Sequence, residues 1–216
     1  AQLGRTLARA VFDSLGKRVL EANTILDTSH IPILERLDVR GLIVQDPRVD
    51  DVIIVPLISE ETEAQAVRIV HHMMDQECSK LPQYVKIDLP SLERLSKMII
   101  QGLYSTFLGE INIDGCISEP NYEYFHPVKA TGLALVLGKE AGLSKHQLSN
   151  LAKASLLQNI GYTLLPREVI SSLKAEDDEK SPEFRQHPQL GYEILAKEKD
   201  LDPEVAVGVW HHHERW

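Results

Sequence analysis

Five of the nine histidines in this 216-residue chain fall at the predicted ends of helices. His126 opens one predicted helix, and His187 stands before a proline at the start of another. His211, His212 and His213 follow the last helix as a run of three. Neutral imidazole is the most common protein ligand for first-row transition metals, and a helical bundle can bring such side chains together. The histidines therefore indicate a candidate metal site in a helical domain.

The second half of the chain carries the helical patterns that have to position these histidines. One helix is predicted from about His126 to Ala141, and Ser144 is a good N-cap for the next, which extends to Leu157. Pro182, between a serine and a glutamate, is typical of a helix start. A last helix is predicted to open at residues 201–203 and to end in the histidine run.

The first half reads as mixed strand and helix. Two short apolar runs flank a turn at residues 13–16, and Thr28 is predicted to cap a short helix. The β-branched runs 41–44 and 52–55 are predicted strands. Ser59 is predicted to cap a longer helix, because two glutamates follow it in the first turn.

These patterns predict an α+β chain, with a small mixed α/β domain followed by an all-helical bundle. The predicted divisions are an accessory domain at residues 1–58, a connecting helix and linker at 59–90, and the helical domain at 91–216.

Composition narrows the possible partners. The net charge is -9, from 23 Lys plus Arg against 32 Asp plus Glu, so binding to DNA or RNA is disfavoured. Cys78 and Cys116 are too few for a disulfide framework and suit a reducing compartment. Neither a run of about 18 apolar residues nor a signal peptide is visible, so we expect a cytoplasmic protein without a membrane span.

From Tyr122 to Trp216 the order of motifs resembles the HD-GYP domain, the branch of the HD phosphohydrolase superfamily associated with hydrolysis of cyclic di-GMP. The resemblance rests on His126, the segment 156–162, His187-Pro188, and His212-His213 followed by Glu-Arg. It implies an HD-type helical bundle in which His126, His187, His212 and His213 are metal ligands. The N-terminal segment is similar to the accessory domain that precedes some members.

Three departures from that family pattern fall in one segment. Gln158 and Asn159 stand where the family has His-Asp, and Tyr162 stands where it has a lysine. The family's Gly-Tyr-Pro loop would follow Arg215 within a few residues, and a further aspartate ligand would lie downstream, both beyond Trp216. The family's aspartate at the position of Asn159 is expected to bridge two metals. The neutral amide of Asn159 lacks both the charge and the second ligand oxygen of that aspartate. Two ions arranged for hydrolysis are therefore not expected, which leaves no metal, or one ion of iron, manganese, zinc or nickel.

The first interpretation is a signalling protein with a degenerate HD-GYP-like domain, which binds cyclic di-GMP, a related nucleotide or a partner protein without efficient hydrolysis. The predicted phosphate contacts are the basic residues near the motif: Lys129, Lys153, Arg167, Arg185 and Arg215.

Two alternatives remain. An active metal-dependent cyclic di-GMP phosphodiesterase would need substitute ligands, for which Glu123, Glu193, Glu214 and residues after Trp216 are candidates. A scaffolding or dimerisation module would instead use exposed apolar residues of the helix at 59–78 to pair with itself or with a signalling partner.

Overall fold

The computed structural model describes residues 3–13, 17–37, 42–49, 56–76, 81–105, 122–166, 168, 170, 182 and 184–214. Within these ranges the chain forms seven α-helices and one two-stranded sheet. The helices are α1 (Ile31–Arg36), α2 (Glu60–Met74), α3 (Leu89–Ser105), α4 (Tyr122–Glu140), α5 (Lys145–Leu157), α6 (His187–Leu195) and α7 (Pro203–Trp210). The mainly helical architecture with a small N-terminal sheet agrees with the predicted fold class. None of the described helices is long and apolar enough to cross a membrane.

The N-terminal sheet is an antiparallel pair, β1 (Val11–Phe12) and β2 (Arg18–Leu20), at the place of the predicted turn. A small core of its own contains Leu7, Val11, Leu20 and Leu26. Thr28 does not cap α1, contrary to the prediction: the helix begins at Ile31, after His30, without a side-chain cap. Pro32 in the first turn supplies the helical backbone angle instead. The predicted strand at 52–55 lies outside the described residues.

Helix α2 belongs to the core of the helical bundle. Ser59 caps it as predicted, by accepting a hydrogen bond from the Thr62 backbone N–H at 3.3 Å. Val67 and Val70 on its apolar face are at most 1% exposed, in the same core as residues of α3 to α7. The expectation that this face is an exposed contact surface was therefore wrong, because packing against α3 and α4 removes it from solvent.

Helix α4 begins at Tyr122, four residues before the predicted start, so His126 lies in its second turn and Pro127 lies inside the helix. Helix α5 begins as predicted at a complete capping box, in which Ser144 and Gln147 each satisfy a backbone N–H of the other. These two helices pack along each other.

Glycines allow the elements around the histidines to approach closely. A Cβ atom at Gly161, in the 3-10 turn Ile160–Leu164, would overlap the carbonyl oxygen of His187. A Cβ on Gly208 of α7 would come 2.9 Å from the Cβ of Ala154 on α5. Backbone therefore meets backbone at the start of α6, and this contact fixes His187 relative to the turn that carries Gln158 and Asn159.

Candidate metal centre

Three imidazoles converge where α6 begins and α7 ends. His187 is the first residue of α6, and His212 and His213 lie in the turn after α7. Each offers one ligand atom, and these atoms all lie within 4.8 Å of one another. His187 is fully buried, His212 is partly buried and His213 is exposed. The three residues form a candidate metal-binding group, called here the histidine triad.

Backbone carbonyls fix the tautomers of the two inner histidines. His187 Nδ1 lies 2.6 Å from the Phe184 carbonyl oxygen, and His212 Nδ1 lies 2.7 Å from the Val209 carbonyl oxygen. A carbonyl oxygen accepts hydrogen bonds but does not donate them, so both Nδ1 atoms carry the proton. In the neutral rings the two Nε2 atoms are therefore unprotonated, and they face each other at 3.1 Å.

Burial keeps these rings neutral. It is the largest cause that lowers the pKa of His187 to about 3 and the pKa of His212 to about 4, and neighbouring imidazoles lower both further. His213 is exposed overall, but partial desolvation of its imidazole also lowers its pKa. Near neutral pH the two Nε2 lone pairs thus point at each other without a proton between them. Since like partial charges repel, this arrangement favours a cation in that position.

The donor set fits a divalent transition ion. Nitrogen ligands at about 2.1 Å from a metal and at right angles lie about 3 Å apart, which is close to the Nε2–Nε2 distance in the triad. Neutral imidazoles suit zinc, iron and nickel. The carbonyls of Phe184 and Val209 would orient the ligand rings, as backbone acceptors commonly do around metals.

His126 lies beside the triad rather than in it. Its charge contributes to the lowered pKa of His212, so the two side chains are electrostatic neighbours. The described ligand atoms within 4.8 Å of one another, however, are those of His187, His212 and His213. Three of the four predicted histidine ligands are thus brought together, and the fourth stands next to them.

The segment after α5 presents amides at the two positions where the resemblance implies metal ligands. Gln158 and Asn159 are 8% and 4% exposed. The Asn159 side-chain Nδ2 donates a hydrogen bond to the Glu123 carbonyl oxygen at 3.3 Å. The Gln158 Nε2 atom is buried and has no hydrogen-bond partner among the described residues. An amide N–H is a donor and repels a cation, so neither nitrogen is a metal ligand.

Tyr162, where the resemblance implies a lysine, places its aromatic ring against the histidine triad. It is 4% exposed, and its ring centroid lies 4.5 Å from that of His187 and 5.8 Å from that of Phe184. Phe184 also contacts His187, with 4.7 Å between ring centroids. Sequence reasoning missed Phe184, whose signal was limited to an apolar residue three positions before His187. The aromatic rings of Tyr162 and Phe184 therefore pack against the buried His187.

The predicted phosphate contacts are dispersed. Lys129 of α4 pairs with Glu63 of α2 at 3.9 Å, and Lys153 of α5 pairs with Glu93 of α3. Arg185 is exposed, in the 3-10 turn just before His187. The remaining two predicted contacts, Arg167 and Arg215, lie outside the described residues.

The predicted substitute acids differ in their surroundings. Glu123 is partly buried in the first turn of α4, and burial raises the pKa of its carboxyl group. Glu193 accepts a hydrogen bond from Gln189 at 3.2 Å on the surface of α6, and Glu214 is exposed. Among the described residues, no carboxylate joins the three imidazoles within ligand distance.

With this geometry established, comparison with known proteins identifies the class. Residues 110–216 match the HD domain family, and this part of the chain belongs to that family. The chain is thus an HD-domain, phosphohydrolase-like protein. A stretch of 94 residues is 28% identical to a cyclic di-GMP phosphodiesterase of Pseudomonas aeruginosa.

That match covers 44% of the present chain and 23% of the relative, so the chain spans about a quarter of the length of the curated relative it matches. The comparison with solved structures gives no significant match.

Proposed function

We propose that the chain is a protein of cyclic di-GMP signalling, from the HD-GYP branch of the family, whose HD domain binds one divalent transition metal and the nucleotide without efficient hydrolysis. The histidine triad holds the ion through His187, His212 and His213. A bound ion of this kind supplies a Lewis acid for a phosphate oxygen. The protein contributes the neutral imidazoles and the aromatic rings of Tyr162 and Phe184, which pack against His187.

The observation that carries the proposal is the contrast between the triad and the amide pair. The Nε2 atoms of His187 and His212 favour a cation between them. Gln158 and Asn159, at the positions of the second set of ligands, offer buried amide nitrogens. Hydrolysis through two ions needs a bridging anionic ligand, and the described residues place no carboxylate with the triad. This supports a single ion and a bound nucleotide that is not cleaved.

Three measurements on the same purified protein test the proposal. Elemental analysis after purification without chelators should give about one metal ion per chain. Incubation with cyclic di-GMP and added manganese or ferrous iron should yield no cleaved product by chromatography. Calorimetric titration with cyclic di-GMP should give saturable binding that His212→Ala weakens, whereas His146→Ala, at an exposed side chain paired with Asp202, should leave it unchanged. Two ions with steady product formation would instead establish an active phosphodiesterase.

A docking role without a nucleotide is the second candidate, and the ion pairs of the basic side chains favour it. Phosphate groups need unengaged positive charge, yet Lys129 and Lys153 are already paired with Glu63 and Glu93. A chain with net charge -9 also repels a dianionic ligand. No heat and no thermal shift with cyclic di-GMP, while the metal remains bound, would favour this role over nucleotide binding.

A further inference from the structure

A proline inside α4 leaves one carbonyl without its usual helical partner. Pro127 lies in the second turn of the helix, which begins at Tyr122. Proline has no backbone N–H, so the hydrogen bond from residue 127 to the carbonyl of Glu123 does not form. An unsatisfied carbonyl in a partly buried turn is costly, and a donor from elsewhere is expected.

That donor is the side chain of Asn159. Its Nδ2 lies 3.3 Å from the Glu123 carbonyl oxygen, and the residue is 4% exposed. Asn159 occupies the N-cap position of the 3-10 turn Ile160–Leu164 but makes no local capping bond. Asparagine at such a position usually bonds to the backbone of its own turn. Here the carboxamide reaches 36 residues back along the chain to α4.

We propose that Asn159 is a positioning residue, whose side-chain amide replaces the missing N–H of Pro127. This contact connects the first turn of α4, and the adjacent His126, to the turn Ile160–Leu164. Gly161 of that turn packs against the backbone of His187. This role of Asn159 does not depend on whether the domain binds a nucleotide.

Because of this hydrogen bond, we expect an aspartate at position 159 to destabilise the protein. In Asn159→Asp, a carboxylate oxygen would face the Glu123 carbonyl oxygen, so two acceptors would meet where a donor and an acceptor meet now. Pro127→Ala supplies the missing N–H within the helix, and alanine is favourable in a helix interior. The cost of removing the Asn159 amide should therefore depend on whether residue 127 is proline.

A double-mutant cycle tests this dependence. Asn159→Asp, Pro127→Ala and the double variant are unfolded in urea at pH 7. We expect Asn159→Asp to lower the urea midpoint more beside Pro127 than beside the alanine, because the alanine N–H gives the Glu123 carbonyl another donor. The matched control is Gln158→Glu, which introduces a charge at the neighbouring buried amide, and its loss should be the same in both backgrounds. The deficit of Asn159→Asp should also shrink as the pH falls, because a protonated carboxyl group donates a hydrogen bond.

If Asn159→Asp does not fold, Asn159→Leu removes the donor without adding charge and is compared in the same two backgrounds. The ring-proton shifts of His126 should move in Asn159→Leu and return in the double variant with Pro127→Ala, while those of exposed His146 stay constant. Equal losses with proline and with alanine at position 127, or no recovery of the His126 signals, would overturn the proposal. Neither readout uses a nucleotide, so the result is independent of the proposed function.

Discussion

The two halves of the candidate site differ in what their side chains contact. The first half contains the predicted histidine ligands and is called here the retained half. In it, the Nδ1 atoms of His187 and His212 bond to backbone carbonyls, and their Nε2 atoms face each other. The second half contains Gln158, Asn159 and Tyr162, which differ from the residues that the resemblance implies, and is called here the changed half. In it, the amide of Asn159 bonds to the backbone of α4, and Tyr162 packs on the ring of His187. One half therefore presents a candidate metal-binding group, whereas the other makes hydrogen-bond and ring contacts to neighbouring elements. Backbone and glycine contacts hold both halves together, whichever side chains stand at the predicted ligand positions.

The largest expected effect comes from disrupting the backbone contact between the two halves. Gly161→Ala places a Cβ against the His187 carbonyl oxygen, where backbone on both sides leaves nothing flexible to move. We expect a loss of about 3 kcal/mol or more in the free energy of unfolding, measured by urea denaturation. Gly102→Ala in α3 is the control, since a Cβ there meets no atom within 4 Å, and it should be neutral or stabilising. Similar midpoints for the two variants would mean that the halves are not locked by this contact.

The next effect is the pH dependence of the retained half. The pKa of His187 is lowered to about 3 in the folded protein, against about 6.5 for an ordinary histidine. The unfolded chain therefore binds this proton first, so stability is complete above about pH 6.5 and falls as the pH drops toward the folded pKa. In chelator-treated protein, the wild type should lose about 2 kcal/mol more than His187→Gln between pH 7 and pH 5. Parallel pH profiles would contradict a buried neutral imidazole at this position.

Removal of one triad ligand should weaken ion binding without unfolding the protein. His212→Ala deletes one of the two facing Nε2 atoms, and we expect zinc affinity to fall at least about tenfold in a competition titration with a chromophoric chelator. Gln158→Ala, on the changed half, should leave zinc affinity within about twofold, because the Gln158 nitrogen is a donor. An equal loss in both variants would place the amide segment among the ligands.

The smallest effect concerns the lysines. Lys153→Met removes the partner of Glu93 at an interface between α3 and α5, and we expect stability to change by less than about 1 kcal/mol. Affinity for cyclic di-GMP should not change, since this lysine is already paired with an acid. A tenfold weaker affinity for cyclic di-GMP by calorimetry would instead indicate that Lys153 contacts a phosphate group, as the sequence predicts.

Local signals made the helical half predictable. Ser59 and Ser144 were recognised as caps because capping depends on neighbours within one turn. Three of the four expected histidine ligands do converge. The start of α4 was placed too late, because the residues before Pro127 carry no cap pattern and proline usually marks the beginning of a helix.

Long-range contacts explain what sequence reasoning missed. The apolar face of α2 was expected to be exposed, since a pattern on one helix does not say which neighbour covers it. The bond from Asn159 to Glu123 uses a backbone acceptor 36 residues away, and a backbone atom leaves no mark in the sequence. The same holds for the carbonyls of Phe184 and Val209 that fix the histidine tautomers.

The most direct test of the central claim is the metal stoichiometry of the unmodified protein, measured by elemental analysis after dialysis against excess manganese and again against zinc. We predict one ion per chain in at least one of these metals, lost in His212→Ala, and no second ion in either. Two ions per chain, with anomalous scattering that places the second beside Asn159, would contradict the account.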